Sequence, residues 1–397
     1  MGLEKTETLV DCELETHLSA WRRHLHQHPE LSFQEHETAR YVTNILSALE
    51  GISIQTGIGG TGVVASLTNG TGKTIAIRAD MDALPIKEEN LHDYRSLHDG
   101  IMHACGHDAH TAILLGVAKQ LAEMASRNLW QGTIRLIFQP AEEATDSEGY
   151  SGAPRMLEAG VLEGVDAVIA LHVCPWHPVG TIQMHDGPSM ASVDVFHAEI
   201  FGSGGHAGYP HLGTDPVWML GSVLQTFYGL SSRRLSPLDT AVASIGKIQA
   251  GTASNVIPDK VDVTGTIRAY TPIVREQLLG EVERAFKIVE SFGGTYQFKV
   301  QRGEPALVND PGINRILRTA AETCIPGLVV KEEPFGMGGE DFAYMTQAVP
   351  GAMFFLGCTF PDGEQRDLHT NQFDVDERCL SMGVAILTEA AMELLES

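Results

Sequence analysis

The run His103-Ala-Cys-Gly-His-Asp-Ala-His110 sets three imidazoles and a thiol directly ahead of a helical pattern, TAILLGVAKQLAEMA. Cys105 and His107 are two residues apart, a spacing that puts both side chains on one face of an extended segment. Both are donors suited to zinc or a neighbouring first-row metal. Taken alone, the run leaves three readings open: a metal site, a thiol nucleophile with its base, or satisfied loop residues in a chain with 17 histidines. A second feature is IFQPAEEATDSEGYSG, where Glu142 and Glu143 follow the end of an apolar strand. Beyond a strand end, neighbours need not point to opposite faces. One carboxylate can then hold a metal while the other takes a proton from water. His172 closes the apolar run VIALH, His369 follows a polar loop in LHTNQFD, and Asp80 and Asp82 share a face in RADMDALP. The two aspartates suit ligation, or the orientation of a ligating imidazole. Each feature also has a plain alternative: a surface glutamate pair, a structural strand-end histidine, a polar turn before Pro85.

The elements around these residues give them a common place. KTIAIRA, GTIRLIFQ (132–139) and VDAVIALHV (165–173) read as buried strands, with helical patterns at 111–125 and 153–159. That alternation predicts an α/β layer with a largely parallel sheet, and ligand sites of such sheets lie outside the carboxyl ends of the strands. Cys105, the Glu142-Glu143 pair and His172 all fall there. A metal at that edge would acidify bound water and polarise a carbonyl, and two metals about 3.5–4 Å apart would do both. Upstream, 13–50 reads as two helices broken at Pro29, with Ser32 and Glu35 as a capping box for the second. TGVVASL and KTIAIRA flank TNGTG, a hairpin-like turn.

From about residue 190 the pattern becomes strand (191–201), helix (214–231), strand (240–249), strand (260–270), helix (273–291), strand (295–302). This is the split βαβ, ferredoxin-like order. GAMFFLGC then resumes a buried strand, and 374–395 reads as a closing amphipathic helix. The expected fold class is α/β. A catalytic domain with a largely parallel mixed sheet between helices spans 1–187 and 304–397, and an inserted ferredoxin-like α+β domain spans 188–303.

The formal net charge is −24, and the basic runs are no longer than Arg22-Arg23 and Arg233-Arg234. Nucleic acid and anionic membrane are therefore not expected partners. The six cysteines are scattered without a C-x-x-C pair, and the N-terminal stretch has no signal pattern, which together predict a reducing cytoplasm and free thiols. MGLEKT fits the bare myristoylation pattern with nothing basic to support it. No apolar run approaches a membrane span.

The motifs HQHPELSFQEHET, RADMDALPI, MHACGHDAHTA, QPAEE, GGHAGYPHLGTDP, ASNVIPD, GGEDFAY and LHTNQFD follow one another over residues 24–374. In that order they resemble the amidohydrolase branch of a co-catalytic metallopeptidase family. The family includes aminoacylases, hippurate hydrolases, auxin-conjugate amidohydrolases and, more distantly, carboxypeptidase G. The resemblance implies two divalent metal ions, with Cys105 as bridging thiolate, His107 and His172 completing one site, and Glu143 and His369 the other. Zinc, manganese, cobalt and nickel all suit such donors. It implies Glu142 as the general base that activates water and then protonates the leaving amine. It implies that His206 stabilises the oxyanion in the neighbouring subunit's site of a homodimer formed through the inserted domain, and that Asn255 and Arg268 hold the substrate carboxylate. Where distant relatives carry His-x-Asp this chain has Asp80-Met-Asp82, so Asp80 is not taken as a ligand and Asp82 is read as a support for a ligating imidazole. His24, His26 and His28 at a helix end keep a structural reading. His103 and His110 are spare imidazoles near the site, and His211 is polar support beside His206.

The expected function is hydrolysis of the amide bond of small-molecule N-acyl amino acids to a carboxylate and a free amino acid. A dipeptidase or carboxypeptidase-like activity would use the same two metals. A metal-free thiol amidase acting through Cys105 leaves Glu142, Glu143 and His369 without roles, and a purely metal-binding protein has no need of Glu142.

Overall fold

The structure is a computed structural model that describes residues 11–364 and 366–397. The myristoylation pattern lies outside the described residues. By its internal contacts the chain divides into two compact units. One comprises Met1–Gly187, Val308–Phe335 and Tyr344–Ser397, and the other Pro188–Leu307 and Gly336–Ala343.

In chain order the elements are α1 (Cys12–Gln27), α2 (His36–Leu46), β1 (Ile52–Ile58), β2 (Gly62–Asn69), β3 (Thr74–Asp80), α3 (His107–Ser126), β4 (Gly132–Gln139), α4 (Gly152–Glu158), β5 (Ala167–Pro178), β6 (Thr181–Gln183) and β7 (Gly187–Met190). They continue with β8 (Ser192–Phe201), β9 (Gly205–His206), α5 (Pro216–Arg233), β10 (Ala241–Ala250), β11 (Val256–Ile257), β12 (Lys260–Ala269), α6 (Pro272–Lys287) and β13 (Thr295–Arg302). The chain closes with β14 (Leu307–Asn309), α7 (Pro311–Cys324), β15 (Val329–Lys331), α8 (Phe342–Ala348), β16 (Gly351–Thr359) and α9 (Arg378–Glu396).

The first unit is built on an eight-stranded mixed sheet of order β1-β2-β4-β3-β5-β16-β6-β15. Its centre, β4-β3-β5-β16, runs parallel, while β1, β2 and β4 pair antiparallel at one side. Central parallel strands are covered on both faces, so they read as unbroken apolar runs; Ala167–Pro175 of β5 and Gly351–Cys358 of β16 are accordingly buried throughout. Helix α3 is buried along most of its length and packs on α1 and α9. Gly116 lets them approach, since a Cβ there would lie 2.7 Å from both Leu18 Cδ2 and Val384 Cγ2. One expectation fails here. TNGTG does not join paired strands, because β4 lies between β2 and β3, and the hairpin is β1-β2. The turn residues reverse the chain locally, but β3 finds its partners in the parallel centre.

The second unit holds a four-stranded antiparallel sheet of order β10-β12-β8-β13. Buried and part-buried residues alternate along β8 and β12, as expected where helices cover one face only. Phe196 on β8 lies at the centre of that core with Phe227 of α5, Phe286 of α6 and Phe298 of β13 around its ring. All six cysteines are free thiols. Among the described residues no helix is long and apolar enough to cross a membrane.

Candidate functional site

Gly106 sets the geometry of the first pair of donors. It is the N-cap of α3 in the left-handed region, φ 88°, and a Cβ there would meet Val173 Cγ2 at 2.3 Å. Only glycine satisfies both demands. His107 is thus the first residue of α3, not part of an extended segment as its spacing from Cys105 suggests. The left-handed turn, in place of strand alternation, brings the two side chains together.

The donor atoms of Cys105, His107 and His172 all lie within 4.8 Å of one another, as do those of Cys105, Glu143 and His369, and those of His107, Glu142 and Glu143. Cys105 Sγ is 3.4 Å from His172 Nε2, and His369 Nε2 is 3.1 Å from Glu143 Oε1. His369 itself is in the left-handed region, φ 59°, with its N–H donated to the Ala104 carbonyl at 2.8 Å. Six side chains from four segments of the first unit therefore share one small volume.

Hydrogen bonds fix which ring nitrogens face that volume. His107 Nδ1–H donates to the Asp82 carbonyl at 2.9 Å, with Asp82 Oδ1 at 3.2 Å. His172 Nδ1–H donates to the Val173 carbonyl at 2.7 Å. Both rings thus turn Nε2 towards that volume. His107 Nε2 is buried with no hydrogen-bond partner among the described residues, an orphan that a bound cation would satisfy. His110 is committed elsewhere. Its Nε2 accepts from Val173 N–H at 2.9 Å, so Nδ1 carries the proton and donates to Asp80 Oδ1 at 2.6 Å. Asp80 also accepts from Arg78 at 2.6 Å, which makes it part of a buried ion network beneath the site.

The electrostatics fit a cation and disfavour a free thiolate. Burial opposes charge on His107, but Asp80 and Asp82 more than offset it and hold its pKa up at about 10; the same negative field would favour a divalent ion in the proton's place. Burial, then His110, keeps His172 neutral and ready to donate a lone pair. Burial, then Glu143 and Glu142, pushes the Cys105 thiol well above its ordinary value. An isolated catalytic thiolate needs the opposite shift. Three or more N, O and S donors with an orphaned imidazole nitrogen fit first-row divalent metals.

Two supporting residues escaped the sequence reading. Ser32 and Glu35 do not form a capping box; α2 starts at His36, and the Glu35 side chain makes no cap bond. Ser32 Oγ donates instead to Asp82 Oδ2 at 2.6 Å, which also receives the Glu143 N–H at 3.0 Å. Glu35 is fully buried, and its Oε1 accepts the N–H groups of Phe33 at 3.0 Å and Ala141 at 2.8 Å. Both donors hold positive φ, 61° and 48°. Glu35 therefore clamps the strained residue that immediately precedes Glu142-Glu143. Burial, helped by Asp82, raises its pKa to about 7.

His206, Asn255 and Arg268 belong to the second unit. His206 on β9 is exposed and pairs with Val256 of β11. Its Nδ1 accepts from Gly208 N–H at 2.9 Å, leaving Nε2–H as a free-facing donor. The Asn255 carbonyl accepts from Ala207 N–H at 3.1 Å, so Asn255 and His206 are close. Arg268 Nη1 donates to the Met337 carbonyl at 3.1 Å. His211 is exposed in the same loop region.

Comparison with known proteins yields a family profile described as Peptidase family M20/M25/M40, which matches residues 76–393. The chain is 41% identical to N-acetyl-L-cysteine deacetylase of Bacillus subtilis (strain 168), covering 97% of this chain and 89% of that protein. It is 38% identical to thermostable carboxypeptidase 2 of Saccharolobus solfataricus, covering 94% and 93%. Among solved structures, the YXEP protein of Bacillus subtilis, described as a dinuclear metal binding peptidase from the M20 family, superposes with a TM-score of 0.83 at 36% identity, covering 97% and 99%.

Proposed function

The chain belongs to peptidase family M20/M25/M40, and from that premise we propose that it hydrolyses the amide bond of N-acyl amino acids with two divalent metal ions. One observation carries the proposal: Cys105, His107, Glu143, His172 and His369 turn their donor atoms onto one another beside Glu142. Cys105 would be shared between the ions as thiolate, His107 and His172 would hold one, and Glu143 and His369 the other. The ions, when bound, supply the charge that acidifies an attacking water and polarises the scissile carbonyl.

The chain's own residues handle the protons and the orientation. Glu142 takes the water proton on a carboxylate oxygen and returns it to the leaving amine nitrogen. Asp82, anchored by Ser32, keeps the His107 proton on Nδ1. Glu35 fixes the backbone ahead of Glu142. His206, through Nε2–H, is proposed as a donor to the developing oxyanion of a partner copy's substrate, with residues 188–303 forming the homodimer contact. Asn255 and Arg268 are proposed to hold the substrate carboxylate. The N-acetyl amino acid named for the Bacillus subtilis relative favours this substrate class. The carboxypeptidase relative keeps peptide hydrolysis as a second reading, separated by side-by-side rates on N-acetyl amino acids and dipeptides.

Glu142→Ala tests the assignment. Metal content should stay at the wild-type level while kcat on N-acetyl amino acids falls roughly 10²–10⁴-fold. Unchanged turnover removes Glu142 from the mechanism.

A further inference from the structure

Below α1 the segment between β3 and α3 folds polar side chains onto His26, and none of the proposed catalytic donors takes part. We infer that His26, Glu88 and His92 form a further site for a single zinc-like divalent cation.

His26, on the last turn of α1, is fully buried. Its Nδ1 lies 2.8 Å from Asp108 Oδ2, and the same oxygen accepts Arg22 Nε–H at 2.8 Å. A carboxylate that holds one nitrogen of a buried imidazole leaves the other as the ligand atom, the usual support of a metal-bound histidine. That other atom, Nε2, faces Glu88 Oε1 at 3.1 Å. Glu88 is fixed in turn: Ser96 N–H donates to Oε2 at 2.6 Å and Asn90 Nδ2 to Oε1 at 3.1 Å. His92 Nε2 approaches Glu88 Oε1 at 3.3 Å. The three donor atoms all lie within 4.8 Å of one another.

These separations match a coordination polyhedron. Zinc–nitrogen and zinc–oxygen bonds of about 2.0–2.2 Å at tetrahedral angles place neighbouring donors about 3.3–3.6 Å apart. The His26–Glu88 and His92–Glu88 edges, 3.1 and 3.3 Å, are close to that.

His92 decides between a cation and a simple ion pair. Both its ring nitrogens are buried without a hydrogen-bond partner among the described residues, and its ring is stacked on Tyr94 at 3.7 Å, which holds it in place. A doubly protonated His26 that donates Nδ1–H to Asp108 and Nε2–H to Glu88 accounts for His26 and leaves His92 unsatisfied. One cation would engage His26 Nε2, Glu88 Oε1 and His92 Nε2 together, with the ring proton of His92 left on Nδ1. Asp374 Oδ2 lies 3.9 Å from His92 Nε2 and is held by Tyr94 OH at 2.9 Å, with its other oxygen paired to Arg22 at 2.8 Å; a water would complete the coordination of the ion. Two imidazoles and a carboxylate select zinc or cobalt over calcium or magnesium. The His92 side chain is 18% exposed, which puts the cluster near the surface.

The test compares full-length wild type with His92→Asn. Both are stripped with chelator, loaded with zinc, dialysed against metal-free buffer and assayed by elemental analysis. Wild type should retain one equivalent more zinc than His92→Asn, at whatever level the other sites fill, with hydrolysis unchanged between them. Cys105→Ser should leave that one-equivalent difference intact, which separates this site from the catalytic one. Anomalous diffraction at the zinc edge from wild-type crystals needs no variant to fold, and should give a peak between His26 Nε2, Glu88 Oε1 and His92 Nε2. Equal zinc contents, or no peak there in zinc-loaded crystals, overturn the proposal.

Discussion

At the scale of single residues, the site depends on positions whose own side chains do no chemistry. Gly106 combines a left-handed φ with a Cβ position 2.3 Å from Val173 Cγ2. Gly106→Ala should therefore lose about 2–4 kcal/mol from backbone strain and overpacking, read in urea denaturation, and bind metal less tightly; a variant of wild-type stability contradicts the close packing. Glu35 gives a pH signature. Its pKa stands at about 7 in the fold against an ordinary 4.5, so the unfolded chain ionises first. The stability tied to neutral Glu35 is full below about pH 4.5 and is lost as pH rises towards about 7. Removing the titration with Glu35→Gln should make the wild-type Tm, measured metal-free, fall relative to the variant across that window and then run level; a constant difference from pH 4 to 8 contradicts the assignment. Cys105, His107 and the glutamate pair were legible because reactive types cluster in short runs. Glu35 was not, because Ser-x-x-Glu before a helix is equally the pattern of a cap, and only the fold reveals that its carboxylate turns to Ala141.

At the scale of elements, periodicity located most strands and helices, while pairing stayed hidden. GTIRLIFQ reads as β4 to the residue, yet nothing local says that β4 slots between β2 and β3. Strand order is set by long-range burial, and a turn sequence such as TNGTG specifies only a reversal. The start of α3 was also missed: the periodic apolar residues begin after His110, whereas the helix begins at His107 because Gly106 turns the chain there. The second unit offers a direct check on its aromatic core. Phe196 is fully buried among three further phenylalanines, and a Cβ on Gly265 would meet its ring at 2.4 Å. Phe196→Ala should cost about 3–5 kcal/mol in the unfolding transition of that unit; a loss below about 1 kcal/mol would contradict such packing.

At the scale of the whole molecule, 51 acidic against 27 basic residues leave a net charge of −24, so the folded chain repels itself. Added salt screens that repulsion, and Tm should rise between low ionic strength and about 0.5 M sodium chloride; a fall would mean that attractive ion pairs dominate. The same excess of carboxylates concentrates divalent cations and leaves the binding of an anionic substrate to local positive charge. Everything proposed for the catalytic site turns on metal. The most direct test follows hydrolysis of N-acetyl amino acids by the full-length protein as metal content is brought to zero with chelator and restored with zinc or manganese, both verified by elemental analysis. Activity should vanish with the metal and return with it. Undiminished hydrolysis by the metal-free protein would contradict the account and return Cys105 to the role of nucleophile.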